Sequence, residues 1–295
     1  NNESLVTKDC ENGAVGDIGM LGAGCVDPKD FHRSALLIGL KEEQTTGYNP
    51  IKLGVIASTD THVSNPGNVK ESDWAGSVVG EGTPVERLQK GILTSGIDGN
   101  PGGLAGIWAE QNTRDSIFNA LLRKEVFGTS GPRIRPRFFA GWNINENLCN
   151  VNEMISDAYA SGVPMGGDLM PSRSKSFPKF LMHAAKDPEG LNIESIQLVK
   201  GWIDEEGNMN TKVIPVLSEI GGAESLCKVY TDTEFENSLP SYYYMRVVEP
   251  KSPRWHTYDC ERLSEDDRPD VCTNETYPSL IREMAWTSPI WYRPE

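Results

Sequence analysis

Residues Lys52–His62, KLGVIASTDTH, join a short apolar run to an Asp-Thr-His tripeptide. A turn containing Pro50 precedes the run and polar residues follow it, which is typical of a buried strand. Side chains two residues apart on an extended chain point the same way, so Asp60 and His62 are expected to converge beyond the strand end. α/β folds place their active sites at this position, and the two side chains could hold a metal ion. Alternatively, Asp60 caps a turn and His62 lies on the surface.

Length and charge restrict the class of protein. The chain has 295 residues, 38% of them hydrophobic, which suffices for one large or two ordinary domains. Its 28 basic and 42 acidic residues give a formal net charge of −14, and the acidic residues are scattered along the chain. Such a charge repels phosphate backbones, so we expect no nucleic-acid partner. No apolar run approaches the roughly 20 residues that span a bilayer, so we expect no membrane span.

Six cysteines occur without a Cys-x-x-Cys pair, so a zinc ribbon is not expected. An even number is compatible with three disulfides and an oxidising compartment, although fifteen pairings exist and six buried thiols are the alternative. The pairing that we favour is Cys10–Cys25, Cys260–Cys272 and Cys149–Cys227. The chain also does not begin with Met, as expected after removal of a leader peptide. These features favour a secreted or periplasmic protein.

The first part of the chain alternates between predicted strands and helices. Asp30–Leu40 and Ile117–Val126 have the apolar spacing of helices. Leu104–Glu110, LAGIWAE, predicts a second buried strand that ends on a carboxylate. The long irregular stretch Val63–Gly106 is expected to lie at the mouth of the suspected site, because long loops inside compact domains are usually functional.

After Gly131 the pattern changes to short β-prone segments separated by turns. These segments are Ile134–Trp142, Phe180–Ala185, Ile193–Trp202, Thr211–Leu217 and Tyr242–Val248. Strands at this spacing without intervening helices predict an antiparallel sandwich. We therefore predict two domains, an α/β domain over residues 1–130 and a β-rich sandwich-like domain over residues 131–295.

Several blocks of sequence together resemble a known family. The blocks, in chain order, are GVIASTDTH, LAGIWAEQNTRDSIFNALLRKEVFGTSGPRI, RFFAGW, VPMGGDL, IESIQLVKGWID and AWTSPIWY. They resemble large secreted or periplasmic proteins of uncharacterised function in the polymerase-and-histidinol-phosphatase (PHP) superfamily of metal-dependent hydrolases. The resemblance extends from about Phe31 to Trp291.

The resemblance implies a distorted (β/α)7 barrel with two or three divalent ions, such as Zn, Mn or Fe, at the carboxyl ends of its strands. The superfamily's last metal motif is an Asp-x-His, which Asp60 and His62 match. Its opening His-x-His and the intervening His and Glu ligands are absent here. We therefore expect residues 1–130 to be the C-terminal part of a barrel, completed by the N-terminal half of the same precursor or by a complementary chain.

Such a site implies hydrolysis, because clustered cations lower the pKa of a bridging water and give a hydroxide nucleophile. The expected substrate is a phosphate ester or a similar small anionic ester. Arg114 and Arg133 are candidates for binding it, since arginine holds anions in a bidentate manner, although structural ion pairs are the alternative for both. Glu110 is a candidate for binding by orienting the substrate or a ligand, although it could equally be the first-turn acid of the following helix. Other hypotheses are an amide or lactone hydrolase and a degenerate extracellular binding or structural module. A homo-oligomer is also compatible with the sequence.

Overall fold

The structure, a computed structural model, describes residues 31–91, 95–172 and 176–294. It forms two compact units that interleave along the chain. The first unit contains the described residues within 31–35, 58–103 and 251–282, and the second contains those within 36–57, 104–250 and 283–294. Each unit is therefore built from segments that are distant in sequence.

The helices are α1 (His32–Thr46), α2 (Pro84–Arg87), α3 (Arg114–Leu122), α4 (Met154–Ser161) and α5 (Trp255–Arg262). The strands are β1 (Leu104–Ile107), β2 (Val126–Thr129), β3 (Arg135–Gly141), β4 (Val163–Pro164), β5 (Asp168–Leu169), β6 (Lys179–Ala185), β7 (Ile193–Ile203), β8 (Met209–Ala223), β9 (Ser225–Thr231), β10 (Ser241–Pro253), β11 (Leu280–Thr287) and β12 (Ile290–Tyr292). Among the described residues no helix is long and apolar enough to cross a membrane.

Two sheets are formed in the described part of the chain. The larger follows the order β1-β2-β11-β10-β12-β5, and β7 joins it by pairing with both β10 and β8. The smaller follows the order β4-β3-β6-β9. The pairing is parallel between β12 and β5, and it is antiparallel for β1–β2, β2–β11, β10–β12, β10–β7, β7–β8, β3–β4, β3–β6 and β6–β9. Antiparallel pairs of this kind need no crossover helices.

The alternation of side chains on the strands gives the second unit its layers. Phe138, Phe180 and Met182 of the smaller sheet share one apolar core with Leu198 and Met245 of the larger sheet. The residues that alternate with these along each strand point to the opposite face of the sheet. Leu36, Leu37 and Leu40 of α1 cover the larger sheet, and Ala158 of α4 covers Phe139 and Leu181 of the smaller one. The central strands β3, β6, β7 and β10 are thereby buried on both faces over most of their length.

The first unit has a separate core in which Trp74 packs on Trp255 with ring centroids 4.5 Å apart. Beside these rings, the guanidinium of Arg87 donates to both oxygens of Asp259 at 2.7 and 3.1 Å. Both side chains of this ion pair are buried. A bidentate pair satisfies most of the polar atoms that burial removes from water, so it can hold α2 against α5 inside an apolar core.

The structure contains two of the expected disulfides. Cys149 bonds to Cys227 across 78 residues, and Cys260 bonds to Cys272 across 12. The first ties the segment before α4 to β9 and the second closes the loop after α5, so both favoured pairings are confirmed. The expected partners Cys10 and Cys25 lie outside the described residues. Disulfides are compatible with an oxidising, extracellular type of compartment.

The predicted (β/α)7 barrel is wrong. The described strands form two mostly antiparallel sheets, with few helices and no barrel. Lys52–His62 is not a strand, because it joins no sheet and leaves Leu53 and Ile56 about 60% exposed. β1, the other expected barrel strand, pairs antiparallel with β2 and not with a parallel neighbour. Apolar runs of this length do not reveal which strand, if any, will pair with them.

The antiparallel β-rich character predicted after Gly131 is confirmed, since each of the five predicted segments contributes to a strand. The helix expected over Ile117–Val126 is also present as α3, with the Thr113 hydroxyl accepting a hydrogen bond from Ser116 N at its start. This helix ends at Leu122, earlier than expected. Val126, assigned to the helix by its spacing, begins β2 because the chain pairs there with β1 and β11.

Two buried carboxyl groups lie on neighbouring strands of the larger sheet, Glu249 on β10 and Glu283 on β11. Burial and the nearby charges of Glu283 and Asp187 raise the pKa of Glu249 to about 8. The charge of Lys186 opposes this rise in part. Burial raises the pKa of Glu283 to about 7, against a hydrogen bond donated by the Ser130 hydroxyl. Both groups therefore bind protons in the folded protein at pH values where the unfolded chain has released them.

The free energy of unfolding should consequently fall as pH rises from about 5, until about pH 7 for Glu283 and about pH 8 for Glu249, by up to about 1.4 kcal/mol per pH unit for each group. Replacing Glu249 by Gln should flatten this dependence and stabilise the protein above pH 8. Urea unfolding at pH 5, 6.5 and 8 measures the effect. The exposed Glu205→Gln variant removes the same charge and serves as control. An unchanged pH slope in Glu249→Gln would show that the carboxyl group is ionised in the folded state.

Candidate metal-binding site

The Asp60 and His62 side chains converge, as the sequence predicts, but from a loop. His62 Nε2 lies 3.5 Å from Asp60 Oδ1. The Asp60 side chain is 91% exposed and the His62 side chain 65%, so solvent or a ligand can reach both donor atoms. Asp60 has a φ of +49°, a left-handed conformation that Asp adopts more often than most non-glycine residues. This turn, and not strand alternation, aims the carboxylate towards the imidazole.

Contacts with a glycine turn fix the backbone in front of Asp60. Gly103 N donates to Ser58 O at 2.8 Å. The preceding Gly102 has a φ of +75°, and a Cβ atom on it would lie 2.6 Å from both Ser58 O and Thr59 Cα. Glycine is the only residue that allows both this conformation and this approach. Gly102 therefore lets two backbone segments meet next to the Asp60 turn.

A second contact fixes His62 through a buried carboxylate. His62 N donates to Ser77 O at 2.7 Å. The Glu81 carboxylate in turn accepts hydrogen bonds from Ser77 N at 2.6 Å, from Val78 N at 3.2 Å and from Gly96 N. Glu81 is only 4% exposed, so these backbone donors replace the water that it loses. The loop that holds His62 is thus ordered around one side chain.

The donor atoms fit part of a metal site. A carboxylate oxygen and an imidazole nitrogen are suitable ligands for Zn and similar divalent ions, and 3.5 Å is a normal separation for two ligands of one ion. The described residues contain no group of three or more His, Cys, Asp or Glu side chains arranged to hold a metal. Asp60 and His62 can therefore supply two ligands, and a complete site needs further ones.

The three residues predicted to bind substrate occupy other positions. Glu110 is exposed in the loop before α3, and Arg114 is exposed at the first position of that helix. Arg133 is exposed just before β3, where its backbone N donates to Asp187 Oδ2 at 2.7 Å. All three side chains face solvent within the second unit, whereas Asp60 and His62 belong to the first. Their assignment to a substrate site stays a prediction.

Sequence reasoning missed the two residues that position the loop, Glu81 and Gly102. Glu81 is one of many acidic residues in an irregular stretch, and nothing in its neighbours marks it as buried. Gly102 belongs to the run Asn100-Pro101-Gly102-Gly103, which predicts a turn but not a close backbone approach. In both cases the partner atoms are distant in sequence.

A family model described as "Protein of unknown function (DUF3604)" matches residues 22–220 and 216–294. The chain belongs to the DUF3604 family. The expected membership of a family of uncharacterised function is thereby confirmed, whereas the wider PHP relationship is not part of this match. No curated protein and no solved structure matches the chain. The function of this DUF3604 member therefore has to be inferred from its own residues.

Replacing Gly102 by Ala should destabilise the protein by about 2 to 4 kcal/mol, since it adds a steric clash to an unfavourable φ. Gly67 is a matched control, because its φ is +79° but nothing lies within 4 Å of a Cβ there. Gly67→Ala should cost only about 1 kcal/mol. Denaturant unfolding of both variants measures the difference. Equal costs would show that the close approach of Gly102 to Ser58 and Thr59 contributes nothing.

Proposed function

We propose that this DUF3604 chain contributes to a metal-dependent hydrolase, with Asp60 and His62 as two ligands of a divalent ion. The observation that carries the proposal is the 3.5 Å approach of Asp60 Oδ1 and His62 Nε2 on an exposed loop that is held by backbone contacts. Exposed Asp and His side chains have no packing reason to converge.

A bound divalent ion would supply a nucleophile at neutral pH and polarise the bond to be cleaved. The role of this chain is to hold the ion and to keep the ligands of the ion oriented. Asp60 contributes negative charge, which favours cation binding, and His62 contributes a nitrogen ligand when it is neutral. The backbone contacts of Ser77 and Gly103 reduce the movement of the loop that carries these side chains. Preorganisation of this kind lowers the entropic cost of metal binding.

The PHP relationship inferred from the sequence supports a phosphate ester or another small anionic ester as substrate. Further ligands would come from a polypeptide other than the described residues, either the N-terminal half of the same precursor or a complementary chain. The chain's net charge of −14 repels an anionic substrate, so a bound cation is needed to attract the substrate to the site. The two disulfides support secretion or a periplasmic location.

A second candidate is an extracellular binding or structural module without catalysis. The observation that favours it is that the described residues bring together two metal ligands and not three or four. Two exposed ligands bind a divalent ion weakly, because structural and catalytic sites use at least three protein ligands. Metal content in the natural preparation separates the two candidates.

Metal analysis and native mass spectrometry of protein from its original source test the proposal. We expect two or three divalent ions together with an additional polypeptide, and hydrolysis of p-nitrophenyl phosphate by that preparation. In a recombinant preparation that contains both polypeptides, Asp60→Asn and His62→Gln should each lower metal affinity by about ten- to a hundredfold or more. Activity should fall in parallel with metal occupancy.

The exposed Asp73 provides a matched control in the same unit. Asp73→Asn removes the same charge and should leave metal content and activity unchanged. If Asp60→Asn and His62→Gln retain full metal occupancy, these residues are not ligands and the metal-site proposal is overturned. If the natural protein contains this chain alone and no metal, the binding module is the better description.

A further inference from the structure

A lysine occupies a core-facing position of the larger sheet. On β7, Leu198, Lys200 and Trp202 alternate with residues of the opposite face, so Lys200 lies on the same side as the apolar core residue Leu198. The register of β7 and β10 places Lys200 opposite Tyr243 and Trp202 opposite Ser241. Lys200 is 6% exposed. An apolar residue would be expected here, and departures from such local rules often occur at functional sites.

Part of the hydrogen-bonding capacity of Lys200 is used within the protein. Its Nζ donates to Asp232 Oδ2 at 2.7 Å and to Glu234 O at 3.0 Å. The Tyr243 hydroxyl also donates to Asp232 Oδ2 at 2.7 Å, and burial together with Asp232 raises the Tyr243 pKa well above its ordinary value. An ammonium has three donors, so one N–H of Lys200 can serve a ligand. Asp232 therefore holds Lys200 in place, but the contacts with Asp232 and Glu234 do not use all of its hydrogen-bond donors.

A cavity of about 150 Å³ lies next to this lysine. Lys200, Trp202 and Ser241 line it from the sheet, and Phe235 lines it from the segment after β9. Ser241 is 2% exposed, and its hydroxyl has no hydrogen-bond partner of good geometry. It lies close enough to the Tyr243 hydroxyl to act against the rise in the Tyr243 pKa. A buried hydroxyl in this state is costly unless something completes its hydrogen bonds. A polar molecule in the cavity would do so.

The charges around the cavity argue against an ionic ligand. Lys200 is paired with Asp232, and Lys212 is paired with Glu234 at the rim. Glu236 adds one further negative charge to the lining, which disfavours an anion. A cation would meet the Lys200 ammonium at the inner end of the cavity, which offers N–H donors and no acceptor atom to coordinate it. The remaining polar atoms are donors and acceptors of hydrogen bonds, which suits a neutral ligand that carries several hydroxyl groups.

We propose that this cavity, the Lys200 pocket, binds a neutral monosaccharide or a similarly sized polyol. Its volume equals that of about five liquid waters, which suits a single sugar ring and not a chain of rings. Trp202 and Phe235 offer apolar faces for the C–H side of a ring, while Lys200 and Ser241 meet its hydroxyl groups. The pocket lies within the second unit and is independent of Asp60 and His62.

The geometry supports binding and not nucleophilic attack by Ser241. A serine nucleophile needs a base to take its proton, and the amine that lines the same cavity, Lys200 Nζ, is ion-paired with Asp232. A charged ammonium cannot accept that proton. The serine hydroxyl is therefore available to donate to, or accept from, a bound hydroxyl group.

The whole chain should be titrated separately with glucose, galactose, mannose, acetate and inorganic phosphate, using ligand-observed NMR and tryptophan fluorescence. We expect at least one of the neutral hexoses to bind with a dissociation constant of roughly 1 mM, a normal value for a ligand of this size. Ser241→Ala should weaken hexose binding by about three- to tenfold, since one hydrogen bond is lost. Trp202→Leu should weaken it at least tenfold.

Ser195→Ala is the matched control, because Ser195 is a buried serine on β7 that does not line the pocket. The Ser195→Ala variant should bind the hexose with the same affinity as the unaltered chain. Circular dichroism confirms that each variant is folded, and Ser241→Ala removes a single atom and should fold normally. The proposal is overturned if no neutral hexose binds at about 50 mM, if acetate or phosphate binds more tightly, or if Ser195→Ala weakens hexose binding as much as Ser241→Ala does.

Discussion

The antiparallel pairing of β10 with strands on both of its sides is the constraint on which the second unit depends. β10 is hydrogen-bonded to β7 along eight residue pairs, Ser241↔Trp202 to Val248↔Ser195, and its other edge carries β12 and β11. Its backbone groups are thereby satisfied without water, so both of its faces can be buried. Tyr242 and Tyr244 pack under α1, whereas Tyr243 and Met245 enter the core between the sheets.

Burial on both faces makes every polar side chain on these strands expensive unless it has partners. Lys200 and Asp232 meet this requirement by pairing with each other, and Arg87 and Asp259 do the same in the first unit. Glu249 meets it differently, by holding its proton up to a pH of about 8. The same low-polarity environment therefore gives both the pH dependence of stability and a pocket in which hydrogen bonds discriminate strongly between ligands.

The proposed metal ligands follow a different structural logic. Asp60 and His62 are exposed on a loop, and their orientation comes from backbone contacts with Ser77 and with the turn at Gly102. Loops held by rigid neighbours commonly carry binding residues, since they can present side chains without burying them. A site of this kind can be completed by another polypeptide more easily than one inside a sheet, which agrees with the presence of only two ligands in the described part of the chain.

The sequence by itself determined the β-rich second half, α3 and the two described disulfides. These features depend on local periodicity, turn residues or cysteine spacing. Only the tertiary structure decided that Lys52–His62 joins no sheet, that β1 pairs with β2, and that Lys200 and Ser241 meet at one cavity. Strand partners, and the burial of a particular polar side chain, depend on contacts between residues far apart in the chain, which local patterns do not encode.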